Sequence, residues 1–306
     1  MLEYIAKRLL QVIPVLLIVS VLVVCLTRLV PGDPIKNLLG EEVTKEQYDE
    51  LAHKWGLDEP VPVQYVNYIK GLLQGDLGRT IYKNHSVSEE LNVRFPKTFK
   101  VAVWSVLVSA VIGILFGVIS ALNRGKFWDS FIMVLSLIAL STPIFFLAIV
   151  LMVVFGVELK WLPIMGLSSW KHYILPVLSL AFQSIATITR TMRSTMLDVL
   201  NEDYIRTAYA MGIPRRVVIF KNAIRNAIIP VITVIGLQFG GLLTGAVITE
   251  SVFSISGMGS FMIEGVTLRD YPIIQGTVII FALIFVVVNL LTDLLYGLFD
   301  PRVSYK

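Results

Sequence analysis

The sequence predicts an all-α, polytopic membrane protein with six transmembrane helices, and three observations lead there. The 306-residue chain is 56% hydrophobic and 16% charged, with a mean hydropathy of +0.76; a soluble domain carries about 25% charged residues. Six apolar stretches of membrane-crossing length punctuate it, with a mixed-charge segment after the first and a polar island between the fourth and fifth. Its Lys and Arg residues, which give a net charge of +4, sit beside the apolar stretches rather than in one stripe with interleaved aromatics. That distribution suits a lipid bilayer and excludes nucleic acid as a partner.

Lys7 and Arg8 precede the first stretch, Leu9 to Val30, long enough at about 1.5 Å per residue for a hydrocarbon core of ~30 Å. No short core with a small-x-small site follows, so this reads as an uncleaved span with a cytosolic N-terminus. Cys25 is the only cysteine and is expected to be a packed thiol; no internal disulfide or cysteine-based metal site can form. Residues 31–97 form an extracytoplasmic segment of short helical patterns, opening on the Pro31-Gly32-Asp33-Pro34 turn. Within it Thr44, with Gln47 three residues on, is a capping box.

Val101 to Leu122 is the second span, with Ser105, Ser109, Gly113, Gly117 and Ala121 recurring every fourth residue as a close-packing stripe expected to meet a helix of this chain. Phe131 to Val157 returns, kinked at Pro143. Trp161 and Trp170 suit an interface, Tyr173 to Thr189 is a fourth, shorter span, and Ala227 to Phe253 a fifth with Gly236, Gly240, Gly241 and Gly245 as close-packing positions. Ile273 to Phe299 is the sixth, before a tail at 300–306 containing Asp300-Pro301-Arg302. From Arg190 to Arg225 seven basic residues oppose three acids, whereas Glu158 to Lys171 and Ser254 to Pro272 carry two and one basic residues. By the positive-inside rule the island and both termini are cytosolic.

The island, Asn201 to Arg225, reads as helix, sharp turn, helix. Asn201 is expected to cap the first helix, Gly212 to take the left-handed position past its end, and Pro214 to open the second as its first residue. Small residues at the elbow, Thr207, Ala208, Ala210 and Gly212, would admit another protein's backbone. The alternative for such a basic hairpin is to lie on the bilayer without a partner. The run Arg206-Thr207-Ala208-Tyr209-Ala210-Met211-Gly212 resembles the EAA loop of ABC-importer permeases, which docks on the ATPase subunit; Arg206 and Thr207 depart from its first Glu and Ala. Arg225-Asn226-Ala227-Ile228-Ile229-Pro230 is similar to the form found in the dipeptide, oligopeptide and nickel permeases. PGDP, the Trp55 to Pro60 and Gly75 to Gly78 runs, and Arg269-Asp270-Tyr271-Pro272 resemble the same branch across nearly the whole chain.

That resemblance implies the type I ABC-importer permease fold, with residues 1–30 as N-terminus and first helix, 98–299 as a five-helix transmembrane domain and 194–225 as its cytosolic coupling loop. It implies Arg206, Thr207, Ala208, Ala210, Gly212 and Pro214 as ATPase-coupling residues. Its partners would be a second, homologous permease subunit, two ATP-binding subunits and an extracytoplasmic solute-binding protein, in a bacterial or archaeal inner or plasma membrane. Val157 to Pro163 and Trp170 to Pro176 look most like glutathione and dipeptide permeases.

No catalytic constellation, phosphate-binding loop or metal-ligand set occurs; His53, His85 and His172 are dispersed, so no enzyme activity, cofactor or metal is expected. Polar residues inside spans are costly, which makes Gln183, Gln238, Thr244, Asn289 and Asp293 candidates for a translocation path, with Glu250 near the outer end of the fifth span. The alternative reading is structural: Asn289 and Gln238 bond between helices, and Asp293, close to the cytosolic end of its span, reaches interfacial water. The expected function is ATP-driven import of short peptides or glutathione; nickel import by the same architecture is the alternative. A stand-alone secondary transporter or channel is a rival from another class, disfavoured by the scarcity of membrane acids and of any visible inverted repeat, and a membrane-embedded protease lacks its catalytic set.

Overall fold

The protein, seen in a computed structural model, is described for residues 2–29, 32–40 and 43–299; Pro31 and the tail with Asp300-Pro301-Arg302 lie outside these. In chain order the helices are α1 (Leu2–Leu29), α2 (Pro34–Leu39), α3 (Lys45–Lys54), α4 (Val61–Leu73), α5 (Val87–Leu122), α6 (Phe127–Ser141) and α7 (Ile144–Leu151). They continue with α8 (Lys171–Leu200), α9 (Asp203–Ala210), α10 (Arg215–Val217), α11 (Ile224–Val252), α12 (Met258–Leu268) and α13 (Tyr271–Phe299). π-helical turns at Met152–Glu158 and Val218–Ala223 extend α7 and join α10 to α11. Among the described residues no strand forms, and one isolated bridge pairs Arg79 with Ser86. Among the described residues five helices are long and apolar enough to cross a membrane, or up to six when the bent pair α6 and α7 counts as one span. The all-α polytopic expectation stands.

The chain forms two compact units. Residues 1–98 and 254–286 make one, in which the mixed-charge segment folds onto α12 and the first half of α13. Leu77, Val87, Leu91, Met258, Phe261 and Ile273 bury one another there, and the Thr98 hydroxyl accepts from the Met258 amide at 2.9 Å. The Thr44 capping box forms as expected, with reciprocal bonds to Gln47. Cys25 is exposed, against the expectation of a packed thiol: Val23, Val24 and Thr27 take the buried face of α1, and the 3.6-residue period turns Cys25 away from it.

Residues 99–253 and 287–306 make the other unit, in which α8 touches α6, α7 and α11. The α5 stripe packs within the chain, as predicted. A Cβ on Gly113 would lie 2.7 Å from Ile188, and one on Gly117 2.5 Å from Met192 and 2.8 Å from the Thr189 carbonyl. Ser105 donates to the Val177 carbonyl at 3.4 Å. On α11, Gly236 approaches Thr292 and Gly245 approaches Leu180, while Gly241 faces open space. α8 runs 30 residues, well past the expected end of the fourth span at Thr189.

The third span differs more. Instead of a kink, α6 and α7 meet at 104° across Thr142 and Pro143. Proline disfavours the helical conformation at the residue before it and brings no N–H of its own, and Thr142 is extended at ψ 121°. The carbonyl left free at the corner is satisfied by a side chain of α8, described below.

Candidate functional site

The island forms a compact elbow. α8 ends on Asn201, whose side-chain Nδ2 donates back to the Leu197 carbonyl at 2.9 Å; it therefore closes α8 rather than capping the next helix, and Glu202 occupies the cap of α9 with no side-chain bond. The reason is the extra length of α8, which consumes Asn201. At the far end the Ile213 amide donates to the Ala208 carbonyl and the Gly212 amide to the Tyr209 carbonyl, at 3.2 and 3.0 Å, a Schellman closure that puts Gly212 at φ +75°. Pro214 is extended at ψ 137° and caps α10, whose first residue is Arg215; the expected helix start moves on by one.

Ile205 and Ala208 face inward, onto a buried layer of Ile188, Met192, Met196, Val218, Ile219 and Ala223. This seat fixes the elbow to the unit that carries it. A bond of 2.9 Å from the Asn226 amide to the Tyr204 hydroxyl ties the two limbs together. Of the six residues proposed for ATPase coupling, Arg206, Thr207, Ala210, Gly212 and Pro214 are exposed while Ala208 is buried. Arg206 lies 3.7 Å from Asp203 in an open ion pair, and the space around Gly212 is empty. Beside them Met211 and Phe220 are 68% and 70% exposed, with Tyr209 and Val217 also out. An apolar, small-residue knuckle on a buried foundation can enter a cleft in another protein, a feature the sequence pattern marked only through its small residues.

The polar span residues separate by role. Gln183 donates to the Thr142 carbonyl at 2.8 Å, closing the corner between α6 and α7. Gln238 accepts from Ser184 at 3.1 Å, joining α11 to α8. Asn289 keeps a buried Oδ1 without a partner among the described residues, and Glu250 is fully buried. The side chains of Thr244 and Asp293 fall outside the described ones.

Two charged sites escaped the sequence reading. Asp129, on the first turn of α6, accepts from Arg193 Nε and Nη2 at 2.6 and 2.8 Å, from the Ser120 hydroxyl and from the Gly125 amide, clamping α6 to α8. The signal was present: Asp129 is the only charged residue between 127 and 157. In the other unit Asp270 is fully buried and accepts from the backbone N–H groups of Ile81 at 2.6 Å and Ile273 at 3.3 Å. Burial pushes its carboxyl up to about 6 against the opposing pull of these donors. Among the described residues no cluster of His, Cys, Asp and Glu could hold a metal ion.

With the elbow and the membrane helices in view, comparison with known proteins is decisive. Residues 113–305 match the family model for the binding-protein-dependent transport system inner membrane component, and residues 1–104 match the N-terminal model for such membrane components. The chain belongs to this family. It is a multi-pass inner-membrane component of a binding-protein-dependent transport system. The glutathione transport system permease protein GsiC of Pectobacterium atrosepticum is 42% identical over 306 residues, covering 100% of both chains. That of Salmonella typhimurium is also 42% identical and that of Escherichia coli 40%, again over 100% of both chains. Among solved structures the MetNI methionine ABC transporter, in inward-facing conformations, matches with a TM-score of 0.57 at 15% identity, over 69% of this chain and 96% of that one. An amino acid ABC transporter gives 0.52 at 19% identity, over 71% and 95%. At these identities the structures bear on fold alone: this permease has the fold of ABC-transporter membrane subunits.

Proposed function

We propose that this permease is one of two homologous membrane subunits of an ATP-driven importer of short peptides, with glutathione as the nearest variant. Two ATP-binding subunits would dock on the elbow of Arg206, Thr207, Ala210, Gly212 and Pro214, and a solute-binding protein would deliver cargo from outside. Both termini and Asn201 to Arg225 face the cytosol in this reading, with 31–97 outside. The observation that carries it is the match to glutathione permeases over the full length of both chains, and the exposed Met211 and Phe220 on a buried seat supply what docking requires. Because the elbow is packed against α8 and α11, a push on it reaches helices of the span bundle, as alternating access needs. The test is the reconstituted complex with its own binding protein. ATPase stimulation by dipeptides or glutathione is expected; stimulation by nickel chelates alone would replace the cargo, and failure of ATPase subunits to copurify would remove the class.

A further inference from the structure

We propose that the cavity between the outer end of α1, α3, α4, the 78–87 turn and the start of α13 binds the free carboxylate end of a short peptide. The ligand class rests on the cargo proposed above; the site itself rests on its own geometry. Its volume, about 480 Å³, lies within the roughly 300–1,000 Å³ of small-molecule pockets. Arg28, Lys54 and Arg79 line it, against Glu59 as the one carboxylate among the lining residues. Glu59 is already engaged, its Oε2 accepting from Asn67 at 3.0 Å. Among the described residues none of the three cations forms an ion pair, so the cavity holds a surplus of positive charge.

Part of that charge is held in place. The Arg28 guanidinium sits 4.9 Å from the centroid of the Tyr271 ring and donates to Gln64 Oε1, while Gln64 Nε2 is itself fixed on the Glu59 carbonyl at 2.6 Å. A planar, oriented guanidinium is suited to a carboxylate; the exposed Lys54 can close on it as a mobile charge, and Arg79, whose Nη1 donates to the Asn84 carbonyl at 3.1 Å, adds a second fixed one. Trp55 and Tyr68 add half-buried rings that accept apolar side chains without selecting among them. Positive charge and aromatic faces within one cavity match a molecule that has an invariant carboxylate and a variable side chain. The wall is anchored: Asp270 bonds Ile81, and the Tyr68 hydroxyl bonds the Gln275 carbonyl at 3.3 Å.

The assembled importer in nanodiscs tests this, without its binding protein, using Ala-Ala, its C-terminal amide, glutathione and inorganic phosphate as probes. The readout is the emission change that depends on Trp55, obtained by difference against Trp55→Phe. Saturable binding of Ala-Ala and glutathione is expected, weakened at least about tenfold by amidation and by Lys54→Gln, the loss of one charge-assisted contact. Lys54 is exposed at the end of α3, so the variant folds; Lys54→Gln with Arg79→Gln should weaken binding further. Equal binding of acid and amide, undiminished binding in the double variant, or displacement by equimolar phosphate overturns the site. So does an absent peptide signal with impaired docking of the binding protein, which would make the cations a protein contact. Uptake of Ala-Ala into proteoliposomes from the same preparation separates the two claims: uptake without a Trp55 signal removes the pocket and leaves the importer, and binding without uptake does the reverse.

Discussion

Gly212 sits in open space at φ +75°, so a side chain there would meet backbone strain rather than a neighbour within the chain. A β-branched residue at such a φ costs on the order of 1–2 kcal/mol, too little to unfold the unit but enough to reshape the Schellman turn. Gly212→Val should therefore leave insertion and expression intact while ATPase copurification and transport fall sharply; full transport in this variant would remove the docking role. Ala208 points inward instead, and a charged substitution there acts through the core. Asp270 behaves in the opposite sense to a salt-bridged carboxylate. Its folded carboxyl keeps a proton up to about pH 6, while an unfolded one releases it near the ordinary value of about 3.9. Between those limits the folded state binds more protons at this group, so its contribution to stability is greatest in acid, declines as pH rises through the window and levels off above it. Amide exchange at Ile81 should accelerate over that range, and Asp270→Asn should flatten the dependence; an unchanged slope would place the cause elsewhere.

At the scale of elements, the corner between α6 and α7 is held by one amide. Gln183→Leu strands the partly buried Thr142 carbonyl and should lower stability by about 1 kcal/mol, toward the lower end of the cost of an unsatisfied acceptor, read as a thermal midpoint in detergent. If stability is unchanged but cargo affinity shifts, Gln183 lines the path instead. The α5 and α8 contact is equally specific. Gly117→Leu drives a side chain into Met192 and the Thr189 carbonyl, an overpacking of about 1–3 kcal/mol; the same change at Gly241, which faces open space, should be close to neutral. Gln183 and Gln238 were legible as costly polar residues, and for Gln238 a bond between helices was one of the two open readings; the partner of Gln183 was not legible, because the bend that creates its acceptor is a property of two helices together.

For the whole molecule, the proposed topology has a direct check. In a Cys25→Ser background, needed because Cys25 is exposed, single cysteines at the exposed positions Gln74 and Arg215 should react with an impermeant thiol reagent from opposite sides of the membrane. Labelling of both from one side would overturn the orientation. Sequence by itself determined the class, the number and approximate limits of the apolar stretches, and the glycine and serine stripe, because hydropathy, charge asymmetry and helical period are local properties that a bilayer reads directly. Tertiary structure decided which polar residues are spoken for. Asp129 met Arg193 64 positions away, Asp270 met Ile81 189 positions away, Thr142 turned a kink into a 104° corner, and Ala208 faced its own core. Partners so distant in sequence leave no periodic trace, and in a low-dielectric interior it is the partner that determines whether a polar group is structural or free to act.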